Sequence, residues 1–171
     1  MIYMSFSQRA RQVSPLKWQL LSLFTLSEST LVGFLCSFYP FQTVVLAFLT
    51  TAVATGSITM YTIMQKNPKY DLSQTGRMLS SASMILIFYG LTHLLLPRGY
   101  FPFSDLIYSM FGACLFSCYL AYHTRMIVSG KHSKYQMNHK DYVYGAMTLY
   151  SDIIQLFLYI LRILSDSRDR E

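Results

Sequence analysis

From Trp18 to Gln65 the chain carries no Lys or Arg and a single acid, Glu28. Similar apolar texture returns three more times after short polar interruptions, which divides the chain into five runs: Trp18 to Tyr39, Phe41 to Met64, Met78 to Leu96, Leu106 to Val128 and Tyr142 to Leu164. Each approaches or exceeds the roughly 20 residues a helix needs to cross a bilayer. The break at Phe38-Tyr39-Pro40-Phe41 leaves room only for a tight hairpin, where Pro40, lacking an N–H, stops one helix. The other connections, KNPKYDLSQTGR, PRGYFPFS and SGKHSKYQMNHKD, concentrate Pro, Gly and charged residues and read as loops. The pattern predicts an all-α, multi-pass integral membrane helix bundle of about five transmembrane helices. Its parts are an N-terminal segment 1–17, a transmembrane domain 18–164 and a polar tail 165–171.

Composition agrees with that solvent. Of 171 residues 53% are hydrophobic and only 13% charged, about half the charged share of a soluble domain. The net charge of +6 would suggest nucleic acid if the cations lined one soluble face, but they fall between apolar runs, so nucleic acid is not an expected partner and the lipid bilayer is. Cys36, Cys114 and Cys118 lie in or beside apolar runs; an odd number offers no closed disulfide framework, and they read as small packing residues.

Basic residues set an orientation. Arg9, Arg11, Lys17, Lys66, Lys69, Arg77, Arg125, Lys131, Lys134 and Lys140 fall on one side, and Arg98, Arg162, Arg168 and Arg170 on the other. Cytoplasmic loops retain the excess of Lys and Arg, which puts the N-terminus and the second and fourth loops in the cytoplasm. The first run starts late and is too long for the core of a cleavable signal, so it is expected to stay as an anchor. The fifth run holds Thr148, Ser151, Asp152 and Gln155; it could dip in and return, and a full span is the favoured reading.

Helix faces carry the candidate chemistry. In the second run Thr51, Thr55, Thr59 and Thr62 make one stripe, read as close packing with hydroxyls bonded back to the preceding turn, the alternative being a pore lining. Ser109, Gly112, Ala113, Ser117 and Ala121 give the fourth run a similar close-packing character. In the fifth, Gly145, Thr148, Asp152, Gln155 and Tyr159 recur at steps of three or four, with Met147, Ile154, Leu158 and Leu161 away from that stripe. A charge at the centre of a membrane helix costs roughly 2.5–3.5 kcal/mol, so Asp152 is expected to face protein. Asn138 reads as a cap for this helix and Asp141 as a complement to its dipole. The other intramembrane ionisable groups are Glu28, His93, read as interfacial, and His123. No metal site follows: nine residues at about 100° each put His123 on the face opposite Cys114. No Gly-x-Ser motif occurs, and neither a catalytic residue nor an enzyme activity is assigned.

GACLFSCYLAYHTRMIVSGKHSKY followed by DYVYGAMTLYSDIIQLFLYILRIL closely resembles the last two helices of the Bax inhibitor motif family, in its lifeguard branch. LLSLFTLSESTLVGFLCSFYPFQTVVLAFLTTAVATG resembles that family's third and fourth helices and KYDLSQTG the loop that follows, so the likeness covers about residues 15 to 165. It implies a multi-pass protein of the endoplasmic reticulum or Golgi, associated with calcium homeostasis and apoptosis regulation. It also implies a seven-helix fold with the last helix at its centre, of which this chain would be a shortened member lacking the first two. Asp152 then corresponds to the aspartate that shares a proton with a second aspartate of the preceding helix, across a calcium path. That second position lies in a Tyr-Asp-Thr motif and is Tyr122-His123-Thr124 here, while Glu28 matches an acidic position of the family's third helix.

Histidine in that place turns a pair of like charges into an attractive pair, about 4 kcal/mol near contact at an effective dielectric of 20 before desolvation. The expected ion path or pH gate is therefore Asp152 with His123 and Glu28, beside a polar stripe holding Thr148 and Gln155. No cofactor is implied, Ca²⁺ entering only as a transported ion, which as a hard cation prefers oxygen ligands. The favoured function is modulation of organellar calcium or cell-death sensitivity. The alternatives are a calcium or proton leak lined by Asp152 and Glu28, or a non-conducting scaffold. An uncovered polar face is costly in lipid, so self-association or another membrane protein is the expected cover for the last helix.

Overall fold

A computed structural model describes residues 14–64, 75–95, 102–129 and 142–168. They form five helices in chain order: α1, Ser14–Cys36; α2, Phe41–Met64; α3, Thr75–Leu95; α4, Pro102–Ser129; α5, Tyr142–Arg168. Residues 66–74, 97–101 and 130–141 of the three expected loops lie outside the described residues, as do Asn138, Asp141 and the side chain of His93.

The all-α reading holds, and four boundaries move outward by three or four residues, α1 beginning at Ser14 rather than Trp18. α3 begins at Thr75 and α4 at Pro102, each a few residues before its apolar run. Pro102 suits a first helical position, where no N–H is needed and φ is already helical, and Asp105 in that first turn complements the dipole. α5 continues past the apolar run through Ser165 to Arg168. Four helices contain stretches long and apolar enough to cross a membrane: Trp18–Cys36, Phe41–Met64, Asp105–Val128 and Val143–Arg168. α3 has a shorter apolar stretch, Met78–Leu91, within 21 helical residues that reach about 31 Å. α5 is one unbroken helix of 27 residues, about 40 Å long, so it does not turn back on itself.

The hairpin between α1 and α2 closes as its composition predicts. Ser37, Phe38 and Tyr39 donate backbone bonds to Gly33, Leu35 and Cys36, and Pro40, unable to donate, accepts the first bond of α2 from Val44 at 3.2 Å. Phe34 and Phe38 meet edge to face across the turn.

α5 is the centre. It packs on α4 along most of its length and also against α2 and α1; α2 touches α4, and α3 lies against α4. Cross-contacts show the direction of each helix. Arg162 of α5 reaches Asp105 at the start of α4, and Arg168 reaches Gln42 and Thr43 at the start of α2. At the other end Val143 and Met147 pack on Leu20, Leu21 and Phe24 of α1. Neighbours in the chain therefore run antiparallel, and α1, α3 and α5 start from the same end of the bundle.

Burial confirms the central position. Between Val143 and Asp166 of α5 only Ala146 is exposed, whereas α1, α2 and α3 turn residues such as Leu26, Phe34, Phe48, Val53, Ile85 and Phe88 outward. Met147 and Leu161, expected away from the polar stripe of α5, are each 1% exposed because neighbours surround the helix rather than cover one face. The stripe is not left open: Thr148 and Asp152 are buried, and Gln155 and Tyr159 half-buried. Of the threonine stripe of α2, Thr51 and Thr62 donate to Ala47 and Ile58 one turn back, whereas Thr55 Oγ1 is buried without a hydrogen-bond partner among the described residues.

Candidate functional site

At one level of the seam between α4 and α5 a glycine faces a large ring. Gly112 is buried, and a Cβ there would overlap the ring of Tyr159, so glycine is what lets α5 lie against α4 at this level. From that contact a row of rings runs along the seam. Tyr159 stacks on Phe116 at 5.6 Å between centroids, Phe116 meets Tyr119 at 5.8 Å, and Tyr119 stacks on His123 at 5.5 Å. The row follows from spacing: Gly112, Phe116, Tyr119 and His123 lie three or four residues apart on α4 and share one face.

At one end of the row His123 Nδ1 lies 2.6 Å from Asp152 Oδ2, with side chains 16% and 7% exposed. Asp152 sits ten residues into α5, roughly 15 Å from its start, well inside a membrane-spanning helix. With the carboxylate ionised, Nδ1–H donates a charge-assisted bond to it; with the ring also protonated the contact is an ion pair. The neighbouring hydroxyls have other partners or none. Thr148 donates to the carbonyl of Tyr144 at 2.8 Å, and Thr124 Oγ1 is buried without a hydrogen-bond partner among the described residues. At the opposite end Arg162 bonds Asp105 at 3.0 Å and lies over the Tyr108 ring, 5.5 Å from its centroid. Tyr108 is in turn joined to Tyr159 by a 3.3 Å contact between their hydroxyls.

Of the residues singled out in the sequence, the structure brings His123 and Asp152 together, and among the described residues no hydrogen bond or ion pair joins Glu28 to them. Glu28 is half-buried on α1, one turn beyond Phe24, whose ring meets Tyr150 edge to face. Thr148 lies one turn from Asp152 on the buried side of α5, and Gln155 is half-buried. Among the described residues no three metal-binding side chains gather. The rings around His123 were missed by sequence reasoning, although Tyr119 stands one turn before it, at a spacing that puts two rings in contact.

A central helix packed against three neighbours, with a buried histidine–carboxylate contact inside an apolar bundle, defines a multi-pass membrane protein with a polar site at mid-helix. The chain belongs to the Bax inhibitor family: the family described as inhibitor of apoptosis-promoting Bax1 matches residues 1–169. It is 33% identical to Protein LIFEGUARD 3 of Arabidopsis thaliana over 153 residues, which is 90% of this chain and 58% of that protein. It is 28% identical to Protein lifeguard 3 of Homo sapiens over 93% of this chain and 50% of that protein. With Protein LIFEGUARD 4 of Arabidopsis thaliana it shares 30% identity over 89% of this chain and 58% of the relative. The chain spans about half the length of these curated relatives. No solved structure matches it.

Proposed function

We propose that this protein modulates intracellular calcium and cell-death sensitivity from an organellar membrane, endoplasmic reticulum or Golgi, with the α4–α5 seam as its ion path and the His123–Asp152 contact as the closed state of a gate. The supporting observation is that contact itself. A carboxylate at this depth is expensive, and a histidine stands 2.6 Å from it, within hydrogen-bond reach. A cation crossing here would need Asp152 oxygens free, so the imidazole has to leave before the path opens. Family membership supports the cell-death part, and the resemblance of the last two helices to those of calcium-linked relatives supports the calcium part. Histidine in place of a second carboxylate favours the closed pair, because attraction replaces the repulsion of two anions.

Calcium release from vesicles reconstituted with wild type, His123→Asp, Asp152→Asn and the double variant tests this. His123→Asp is expected to raise flux and Asp152→Asn to lower it in that background. Equal flux in all four would remove the gate and leave Asp152 as a structural residue.

A further inference from the structure

α3 is the helix least engaged with the centre, yet two of its residues hold the rings that bound His123. The imidazole has Tyr119 stacked on one face, centroids 5.5 Å apart and planes 19° apart, and Tyr122 edge-on at 5.3 Å and 66°. Both tyrosines reach α3 with their hydroxyl ends. Tyr119 donates to Ser83 Oγ at 3.3 Å, and the Ser83 hydroxyl spends its own proton on the Ser80 carbonyl at 2.8 Å, which leaves its oxygen free to accept. The Tyr122 hydroxyl lies over Gly76, 2.6 Å from where a Cβ would stand, so any side chain at 76 would displace it.

We propose that Tyr119 and Tyr122 are positioning residues for His123, held by Ser83 and Gly76 of α3, so that α3 sets the plane in which the imidazole meets Asp152. A histidine ring pivots about two side-chain torsions, and Asp152 fixes one nitrogen only. The stacked ring fixes the plane, the edge-on ring limits sideways swing, and each tyrosine is fixed at its far end by a helix that does not carry the pair. Displacing α3 from α4 therefore removes the seats of the two rings that bound the imidazole, while Asp152 stays on α5. The consequence for conduction rests on the gate reading above; the positioning itself does not.

The test uses full-length protein in nanodiscs with ¹⁵N-labelled histidine. The chain has four histidines, and loss of one resonance in His123→Gln assigns the Nδ1 proton shared with Asp152. In Tyr119→Phe the stacked ring stays and only the bond to Ser83 goes; in Ser83→Ala the acceptor goes. Each is expected to make that proton exchange with water about fivefold faster, the factor set by one neutral hydrogen bond. The double change is expected to do no more than either single one, since both remove the same bond. Ser83→Thr restores an acceptor and is expected to restore the wild-type signal. Gly76→Ala, whose methyl group meets only the tip of a side chain, is expected to shift the resonance through Tyr122. Tyr108→Phe, on the same seam but off His123, is expected to leave it unmoved.

An unchanged resonance in Tyr119→Phe, Ser83→Ala and Gly76→Ala overturns the proposal whatever the calcium flux. Additive effects of Tyr119→Phe and Ser83→Ala also overturn it. Variants that move the resonance while all vesicles show equal flux uphold the positioning and remove the gate.

Discussion

The ring of Tyr159 lies against Gly112 so closely that a Cβ at residue 112 would overlap the ring itself rather than its tip. The ring cannot swing aside freely, because Phe116 stacks on it and Tyr108 meets its edge at 5.8 Å. Helix propensity alone favours alanine over glycine by about 1 kcal/mol. Overpacking a tight contact costs about 1–3 kcal/mol, so Gly112→Ala is expected to give a net loss of stability, and Gly112→Leu a larger one. Thermal unfolding in lipid-like detergent reads both; a Gly112→Ala protein more stable than wild type would show that the seam is loose here.

His123 and Asp152 differ in what each leaves behind when removed. His123→Ala strands a buried carboxylate, at a cost of about 3–5 kcal/mol for breaking such a pair. Asp152→Asn leaves an amide oxygen that still accepts from the imidazole, so the loss is expected to be smaller, about that of one charge-assisted bond turned neutral. Chemical unfolding of the two variants at neutral pH should rank them in that order, and the reverse rank would mean that Asp152 is not held as an anion.

The other ion pair on the seam is expected to matter far less. Arg162 and Asp105 are 3.0 Å apart, but their side chains are 40% and 37% exposed. Pairs this open contribute about 0–1 kcal/mol, screened by salt. Asp105→Asn should therefore move stability by less than about 1 kcal/mol, whereas Arg162→Ala should cost more, since it also removes the cation from the Tyr108 face. Equal losses in the two variants would show that the ring contact contributes nothing.

The long apolar runs made the helices legible, because lipid solvent leaves no other way to satisfy the backbone. The ends were less so: Thr75 and Pro102 lie outside the apolar runs, in segments whose Gly and Pro read as loop, yet both start helices. The stripe of α5 pointed Asp152 at protein, and the likeness of two segments to a known family pointed at its partner on α4. Periodicity placed Met147 and Leu161 away from the polar stripe of α5 but said nothing of their cover, which comes from a central helix being packed on its other sides too. Glu28 matched by motif position, and among the described residues no hydrogen bond or ion pair joins it to the pair. Ser83 and Gly76 gave no signal, because a serine or glycine becomes a seat for a ring only when another helix delivers that ring.

The alternation of the helices turns charge counting into a sharper test of orientation. Contacts of Arg168 with Gln42 and Thr43, and of Val143 and Met147 with Leu20 and Leu21, put the starts of α1 and α5 at one end and the start of α2 at the other. The first end receives the segments carrying ten of the fourteen basic residues, from Arg9 to Lys140, against Arg98, Arg162, Arg168 and Arg170 at the second. Loops this short follow the bias, so the first end is expected in the cytoplasm. Reporters fused before Trp18 and inserted beside Lys134 should both read cytoplasmic, while an engineered glycosylation site after Glu171 should be modified in the lumen, because α5 is an unbroken helix about 40 Å long. A reporter beside Lys134 that reads lumenal while one before Trp18 reads cytoplasmic would contradict the antiparallel order itself. Both reading lumenal would keep the order and reverse the orientation, placing the His123–Asp152 pair nearer the lumenal than the cytoplasmic face.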